Sequence, residues 1–146
     1  MAGASLNRGA YNRGMQQAGR RWAHRVGNDV VNAAKVNCPV DEGTLRASIT
    51  YVTRISSTGA KVIVGSPLPY AEYFHTGTGI YGPRGTPIVP VTKKALKFKW
   101  DGPGGATRSK DKRGYVFAKS VKGIRPNPFL ADALADVMGD VQRRTT

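Results

Sequence analysis

The sequence predicts an α+β fold: a long N-terminal helix, a small antiparallel sheet made of two hairpins, and a C-terminal helix. Three observations carry this. Apolar residues recur every three to four positions before Pro39 and again after Pro128, which is helical spacing. Between those stretches, short runs alternate apolar and polar residues, as half-buried strands do. Clusters of Gly, Ser and Pro separate the runs, as turns do.

The first helix is expected over residues 15–37. Ala18, Trp22, Val26, Val30 and Ala34 recur at i+4 with Ala33 beside them, while Arg20, Arg21, Arg25, Asn28 and Asn32 fall largely on the other flanks. Cys38-Pro39 ends it, because the residue before proline avoids helical backbone. A helical turn is expected over 41–48, with the Asp41 carboxylate accepting the free N–H of Gly43 or Thr44. Residues 49–55 read as a strand with Ile49, Tyr51, Thr53 and Ile55 on one face. Residues 61–64 are a second apolar run, and Ser56-Ser57-Thr58-Gly59 between them predicts a hairpin.

The aromatic-rich stretch 69–76 predicts a short helix, and 77–92 a Gly/Pro loop. Residues 95–100 alternate cleanly, with Leu96, Phe98 and Trp100 against Lys97 and Lys99. Their expected partner is 114–121, with Tyr115, Phe117 and Val121 aligned. The thirteen residues 101–113 between them make a loop of a length that is usually functional or disordered. Asn127-Pro128 then opens the last helix as N-cap and first-turn proline. Phe129, Leu130, Ala133, Leu134, Val137 and Val141 are its expected apolar face, and Asp132, Asp136 and Asp140 form a second stripe at i, i+4, i+8.

At 146 residues the chain fits one domain. Residues 15–146 are expected as a single α+β domain with a long basic hairpin at about 93–121. Residues 1–14, rich in Gly, Asn and Arg, are expected as a mobile arm. Cys38 is the lone cysteine, so no intrachain disulfide forms and no cysteine cluster points to zinc. A reducing cytoplasm during folding is the simplest reading. The longest apolar runs are far short of a membrane span, and residues 1–14 lack the apolar core of a secretory signal.

Charge is the strongest compositional signal. The chain carries 23 Lys+Arg against 9 Asp+Glu, a formal net charge of +14. Residues 8–25 hold five arginines and no acid, and residues 84–125 hold twelve bases against Asp101 and Asp111. Such patches attract a polyanion, in a small protein most simply nucleic acid. Lys93, Lys94, Lys97, Lys99, Arg108, Lys110, Lys112 and Arg113 are the candidate phosphate contacts, against the plainer reading of a solvated basic face. Alternation with lysine directs the aromatics of this hairpin to the core, which argues against a stacking platform for single strands. Contact is therefore expected with backbone phosphate alone. Two readings stand for the aspartate stripe: a solvated face, or carboxylates that meet Arg20, Arg21 and Arg25 on another copy of the chain. Segregated surfaces of that kind associate head to tail and close into rings.

Catalytic signals are weak. His24 and His75 are far apart in sequence, with no local nucleophile signature. Glu72 and His75 sit three apart, but a metal site needs more ligands than two. GTGIYGPRG at 77–85 lacks the Lys-Ser/Thr of a phosphate loop and reads as flexible connection. No cofactor is expected.

Three strings in order, CPVDEGTLRASI (38–49), PYAEYFHTGTGIYGP (69–83) and VFAKSVKGIRPNPFLADAL (116–134), resemble the neck or tail-completion proteins of long-tailed bacteriophages, including the minor tail Z-like group. The likeness covers nearly all of the chain beyond the arm. Its motif positions are Asp41, Gly43 and Leu45 at the capped turn, Tyr70, Tyr73 and Gly77 around the aromatic helix, and Pro128 and Phe129 at the start of the last helix. Glu42 stands where the familiar form has Thr. The resemblance implies a non-enzymatic virion protein, assembled in the host cytoplasm as a homo-oligomeric ring of about six at the head–tail junction. Its partners would be head-completion, stopper or adaptor proteins on one side and the tail terminator or tail tube on the other, with genomic DNA passing through the bore. A tail terminator is the near alternative, and a sequence-independent DNA-binding protein the alternative of another class.

Overall fold

The computed structural model describes residues 5–39, 43–99 and 115–145, with side chains as far as residue 139. The fold is α+β. Its elements are α1 (Arg8–Asn37), α2 (Thr44–Ser48), β1 (Thr50–Ile55), β2 (Ala60–Gly65), α3 (Ala71–Thr76), a 3-10 turn (Gly79–Tyr81), β3 (Leu96–Lys99), β4 (Tyr115–Ala118) and α4 (Phe129–Thr145). The two hairpins form separate two-stranded sheets, where a shared sheet was expected. They belong to two compact units. Residues 1–71 and 128–146 make the first, and residues 72–127 the second.

In the first unit, α1 packs against β1, β2 and α4. The helix starts seven residues before the expected Met15. Asn7 caps it, its side-chain oxygen accepting the Ala10 N–H at 3.0 Å. A cap of this kind contributes about 1 kcal/mol, which offsets part of the low helix propensity of Gly9 and Gly14. The other end behaves as the Cys-Pro pair requires: Cys38 is extended at φ −69°, ψ 131°, and its N–H closes the last turn on the Ala34 carbonyl.

The buried line of α1 is Ala23, Val26, Gly27, Val30, Val31 and Ala34. Trp22, expected in the core, is 44% exposed, and Ala18 is exposed. An i+4 line drifts about 40° around a helix at every step, so only its later members, Val26, Val30 and Ala34, face inward. Phe129 and Ala133 of α4 are fully buried, and Leu45 and Ile49 close the floor. Leu134 was also expected inside but is 50% exposed, on the outer face of α4. Val141 and Asp140 carry side chains outside the described residues.

Gly27 lets the helix lie on the sheet. A Cβ there would sit 2.5 Å from the Tyr51 ring, a distance real contacts do not allow. Beside it, His24 Nδ1 and the Tyr51 hydroxyl share a hydrogen bond of 3.1 Å, with the two rings edge to face. Strand β1 alternates as expected, with Tyr51, Thr53 and Ile55 half-buried. It pairs antiparallel with β2 from Thr50↔Gly65 to Ile55↔Ala60. The Ser56–Gly59 turn is closed by Ser56 N–H on the Gly59 carbonyl and by the Ser56 hydroxyl, which accepts the N–H groups of Thr58 and Gly59. The cap position of α2 is Gly43, left-handed at φ 76°, with no side-chain cap bond. Asp41, the expected cap, lies outside the described residues. A serine pair joins α2 to the end of β2: Ser48 donates to the Leu45 carbonyl at 2.7 Å and lies 2.6 Å from the Ser66 hydroxyl.

In the second unit, β3 and β4 pair antiparallel from Leu96↔Ala118 to Lys99↔Tyr115. The Gly77-Thr78-Gly79 segment is held by backbone, where a flexible connection was expected. Thr78 N–H donates to the Ile124 carbonyl, Ile80 N–H to the Lys122 carbonyl, and Ile124 N–H to the Thr78 hydroxyl. Ile88 and Val121 exchange both backbone bonds at 2.9 Å, and Asn127 N–H donates to the Phe74 carbonyl. The two chains approach so closely that only glycine fits. Gly79 (φ 64°) and Gly123 (φ 94°) are left-handed, and a Cβ on either would strike the opposite backbone, at the Lys122 carbonyl or the Thr78 carbonyl.

Two outcomes follow from this packing. Phe129→Ala removes a fully buried ring, and should cost about 3–5 kcal/mol in chemical denaturation; a change near zero would refute the core assignment. Gly123→Ala should strip hydrogen-exchange protection from the Thr78 and Ile80 amides while leaving α1 protected. Equal protection in both proteins would show that the clasp tolerates a side chain.

Candidate functional site

The sites predicted from sequence are surfaces rather than a cleft. Lys93 and Lys94 are exposed on the approach to β3, and Lys97 and Lys99 are exposed on the strand itself. Arg108, Lys110, Lys112 and Arg113 lie outside the described residues, as does Trp100. Pairing register then decides what accompanies the lysines. Lys97 stands opposite Phe117 and Lys99 opposite Tyr115, while Leu96, Phe98, Val116 and Ala118 share the other, half-buried face.

The expected inward placing of Tyr115 and Phe117 is therefore corrected. They are 40% and 37% exposed and share the lysine face. The segment Tyr-Val-Phe-Ala is apolar on both faces, so alternation cannot tell which side is buried; the register tells it. Lys97 Nζ rests 4.4 Å from the Tyr115 ring centroid. An exposed cation–π contact of this kind is worth about 0.5–1 kcal/mol. Elsewhere in the unit the Arg125 guanidinium lies 5.2 Å from the Tyr81 ring. Exposed rings among ammonium groups are also what a single-strand stacking platform uses, so the expectation against one, which rested on buried aromatics, no longer holds.

The first unit carries the other predicted surface. Arg20, Arg21 and Arg25 are exposed on α1, and Asp132 and Asp136 are exposed on α4. No carboxylate precedes Asp29 on α1. The motif residues divide by role. Leu45 and Phe129 are buried core, Gly43 is the left-handed cap, and the Pro128 carbonyl accepts the Asp132 N–H at 2.9 Å in the first turn of α4. Gly77 (φ 78°) packs against Ile124 and Pro126 in the clasp, and Tyr70 and Tyr73 are exposed, at 37% and 58%.

Among the described residues no three of His, Cys, Asp and Glu gather as metal ligands. His24 is engaged by Tyr51 in the first unit, and His75 belongs to the second. Burial pushes the Cys38 thiol up, with Arg46 pulling it partly back, so the sulfur stays protonated and is a poor nucleophile. No helix among the described residues is long and apolar enough to cross a membrane.

Sequence reasoning missed Tyr115 and Phe117 as surface groups. It also missed an apolar groove formed by Tyr11, Met15 and Trp22 of α1 and the turn of the first hairpin. The signal for the groove was present in the sequence, since Tyr11, Met15, Ala18 and Trp22 continue the helical spacing upstream of the core.

Neither a curated protein nor a solved structure matches the chain. Residues 6–77 match the family model HK97-gp10-like, whose description reads "Bacteriophage HK97-gp10, putative tail-component". The match takes in α1, the turn at Gly43 and the first hairpin of the first unit, without its α4, together with α3, and so supports the neck and tail-completion resemblance on those elements. Over residues 6–77 the chain is thus similar to the HK97-gp10-like family of phage tail components.

Proposed function

We propose that the chain is a structural virion protein of the phage head–tail junction, of neck or tail-completion type, that works as a closed ring around the path of the genome. The observation that carries this reading is the family match over residues 6–77. In this role the protein does no chemistry. It joins head-completion proteins, stopper or adaptor, on one side to the tail terminator or tail tube on the other. The ring is expected to be six-fold.

The charge distribution supports the reading. A wall beside moving DNA must attract phosphate and ignore bases, because binding that depends on sequence would stall passage. The lysine face of β3–β4 meets that requirement: Lys97 and Lys99 supply charge, and no side-chain amide or carboxylate shares the strand face to read a base edge. The arginines of α1 and the aspartates of α4 supply the unlike charges that a head-to-tail ring requires.

Two measurements test it. Native mass spectrometry and negative-stain images of the purified chain should show one closed oligomer with a central hole. Arg21→Glu with Arg25→Glu should dissolve it, and Asp132→Arg with Asp136→Arg on the same chain should restore it. A chain that stays monomeric at high concentration and is missing from virions overturns the proposal. Lys97→Glu with Lys99→Glu should lower the affinity of the ring for duplex DNA on the order of tenfold at low salt and flatten its salt dependence. An unchanged salt slope would place the DNA contact elsewhere.

A further inference from the structure

The outward face of the second hairpin is more than the basic strip its charge count describes. Two lysines of β3 stand opposite two aromatic side chains of β4, in the pairs Lys97↔Phe117 and Lys99↔Tyr115. All four are exposed, whereas Leu96, Phe98, Val116 and Ala118 on the other face of the same strands are half-buried. Single exposed apolar residues are ordinary on a protein surface. Two aromatic side chains, 40% and 37% exposed and in register with two cations, form a composite surface.

Charge decides the class of partner. Residues 84–125 carry twelve bases against Asp101 and Asp111, and neither strand holds an acid. An acidic polymer is drawn to such a face. Aromatic spacing decides the form of that polymer. Tyr115 and Phe117 are two residues apart on one strand, so their attachment points lie about 6.5–7 Å apart. Bases in a duplex rise about 3.4 Å each and cover one another, which leaves no base face for a side chain to lie on. An unpaired strand can part its bases and lay them on aromatic groups at the wider interval.

We propose that the outward face of β3–β4 is a stacking site for single-stranded nucleic acid, with bases on Tyr115 and Phe117 and phosphates on Lys97 and Lys99. The proposal rests on the reading of this face as the DNA contact and narrows its ligand. A duplex is held by the lysines alone, an unpaired strand by lysines and aromatic groups together. Stacking accepts every base, so binding stays independent of sequence. Lys97 takes part in the exchange. Its Nζ rests 4.4 Å from the Tyr115 ring centroid. An exposed contact of that kind favours the cation by only about two- to fivefold. A base stacked on an aromatic side chain gains roughly five- to 150-fold. The base therefore displaces the ammonium from Tyr115, and the ammonium, still tethered beside it, meets the phosphate that the base brings.

The test follows the fluorescence anisotropy of labelled oligonucleotides with the full-length chain. The probes are oligo(dT), an abasic strand of the same length, and a duplex of that length. Oligo(dT) should bind on the order of tenfold or more tightly than the abasic strand, which offers the same phosphates and nothing to stack. Phe117→Leu and Tyr115→Leu should each weaken oligo(dT) binding about fivefold or more, and leave the abasic strand and its salt slope unchanged. Lys99→Gln should weaken all three probes and lower the slope. Photocrosslinking of the wild-type chain to an iodouracil-substituted strand decides the matter if a variant unfolds. Crosslinks at Tyr115 or Phe117 are expected, and crosslinks confined to other residues overturn the site. Equal affinity for oligo(dT) and the abasic strand overturns the stacking site and leaves the phosphate contact standing. Failure of every probe to bind at low salt overturns both. Tyr115 and Phe117 shielded by another tail protein, and never by oligo(dT), would assign the face to that partner and overturn the proposal.

Discussion

The first unit depends on a missing side chain. With only hydrogen at Gly27, the Tyr51 ring can lie against the helix backbone, and the hydroxyl of that ring reaches His24 one turn earlier. Everything the unit offers to others follows from this seating. It sets how α1 crosses the hairpin, and therefore where the helix leaves the core at Ala23. It leaves the other buried side of α1 to α4, whose Phe129 and Ala133 are then sealed completely. Any larger residue at 27 would displace either the Tyr51 ring or the helix.

Parts of this were legible in the sequence, for physical reasons that differ by element. The first hairpin was readable because Tyr51, Thr53 and Ile55 alternate against Val52 and Arg54, and because Ser and Gly mark its turn. The end of α1 was readable because proline restricts the residue before it. Its beginning was not, since Gly9 and Gly14 look like the composition of an arm and the Asn7 cap is a single hydrogen bond. The clasp between Gly77–Gly79 and the 122–126 strip was invisible for another reason. Its bonds run almost wholly between backbone groups, which leave no periodic trace in side-chain identity.

The candidate surfaces show the same division. Charge counts located the basic hairpin, because net charge survives any error in register. They did not show which groups accompany Lys97 and Lys99, since a one-residue shift of pairing exchanges the two faces of β4. Helical spacing found the apolar residues of α1 and α4 but could not separate inward from outward members. That distinction depends on where the neighbouring elements stop, and for Trp22 and Leu134 they stop short.

The second unit also has the character of an excursion. The chain leaves after Ala71 and comes back at Pro128, and near those two points the Asn127 N–H is bonded to the Phe74 carbonyl. Departure and return are pinned to each other by main chain and by two glycines that admit no bulk. A loop tethered in this way can lengthen or shorten at its far end at small entropic cost, while the spacing of its two roots stays fixed. Changes of length or charge between the two roots should thus leave the clasp itself unaltered.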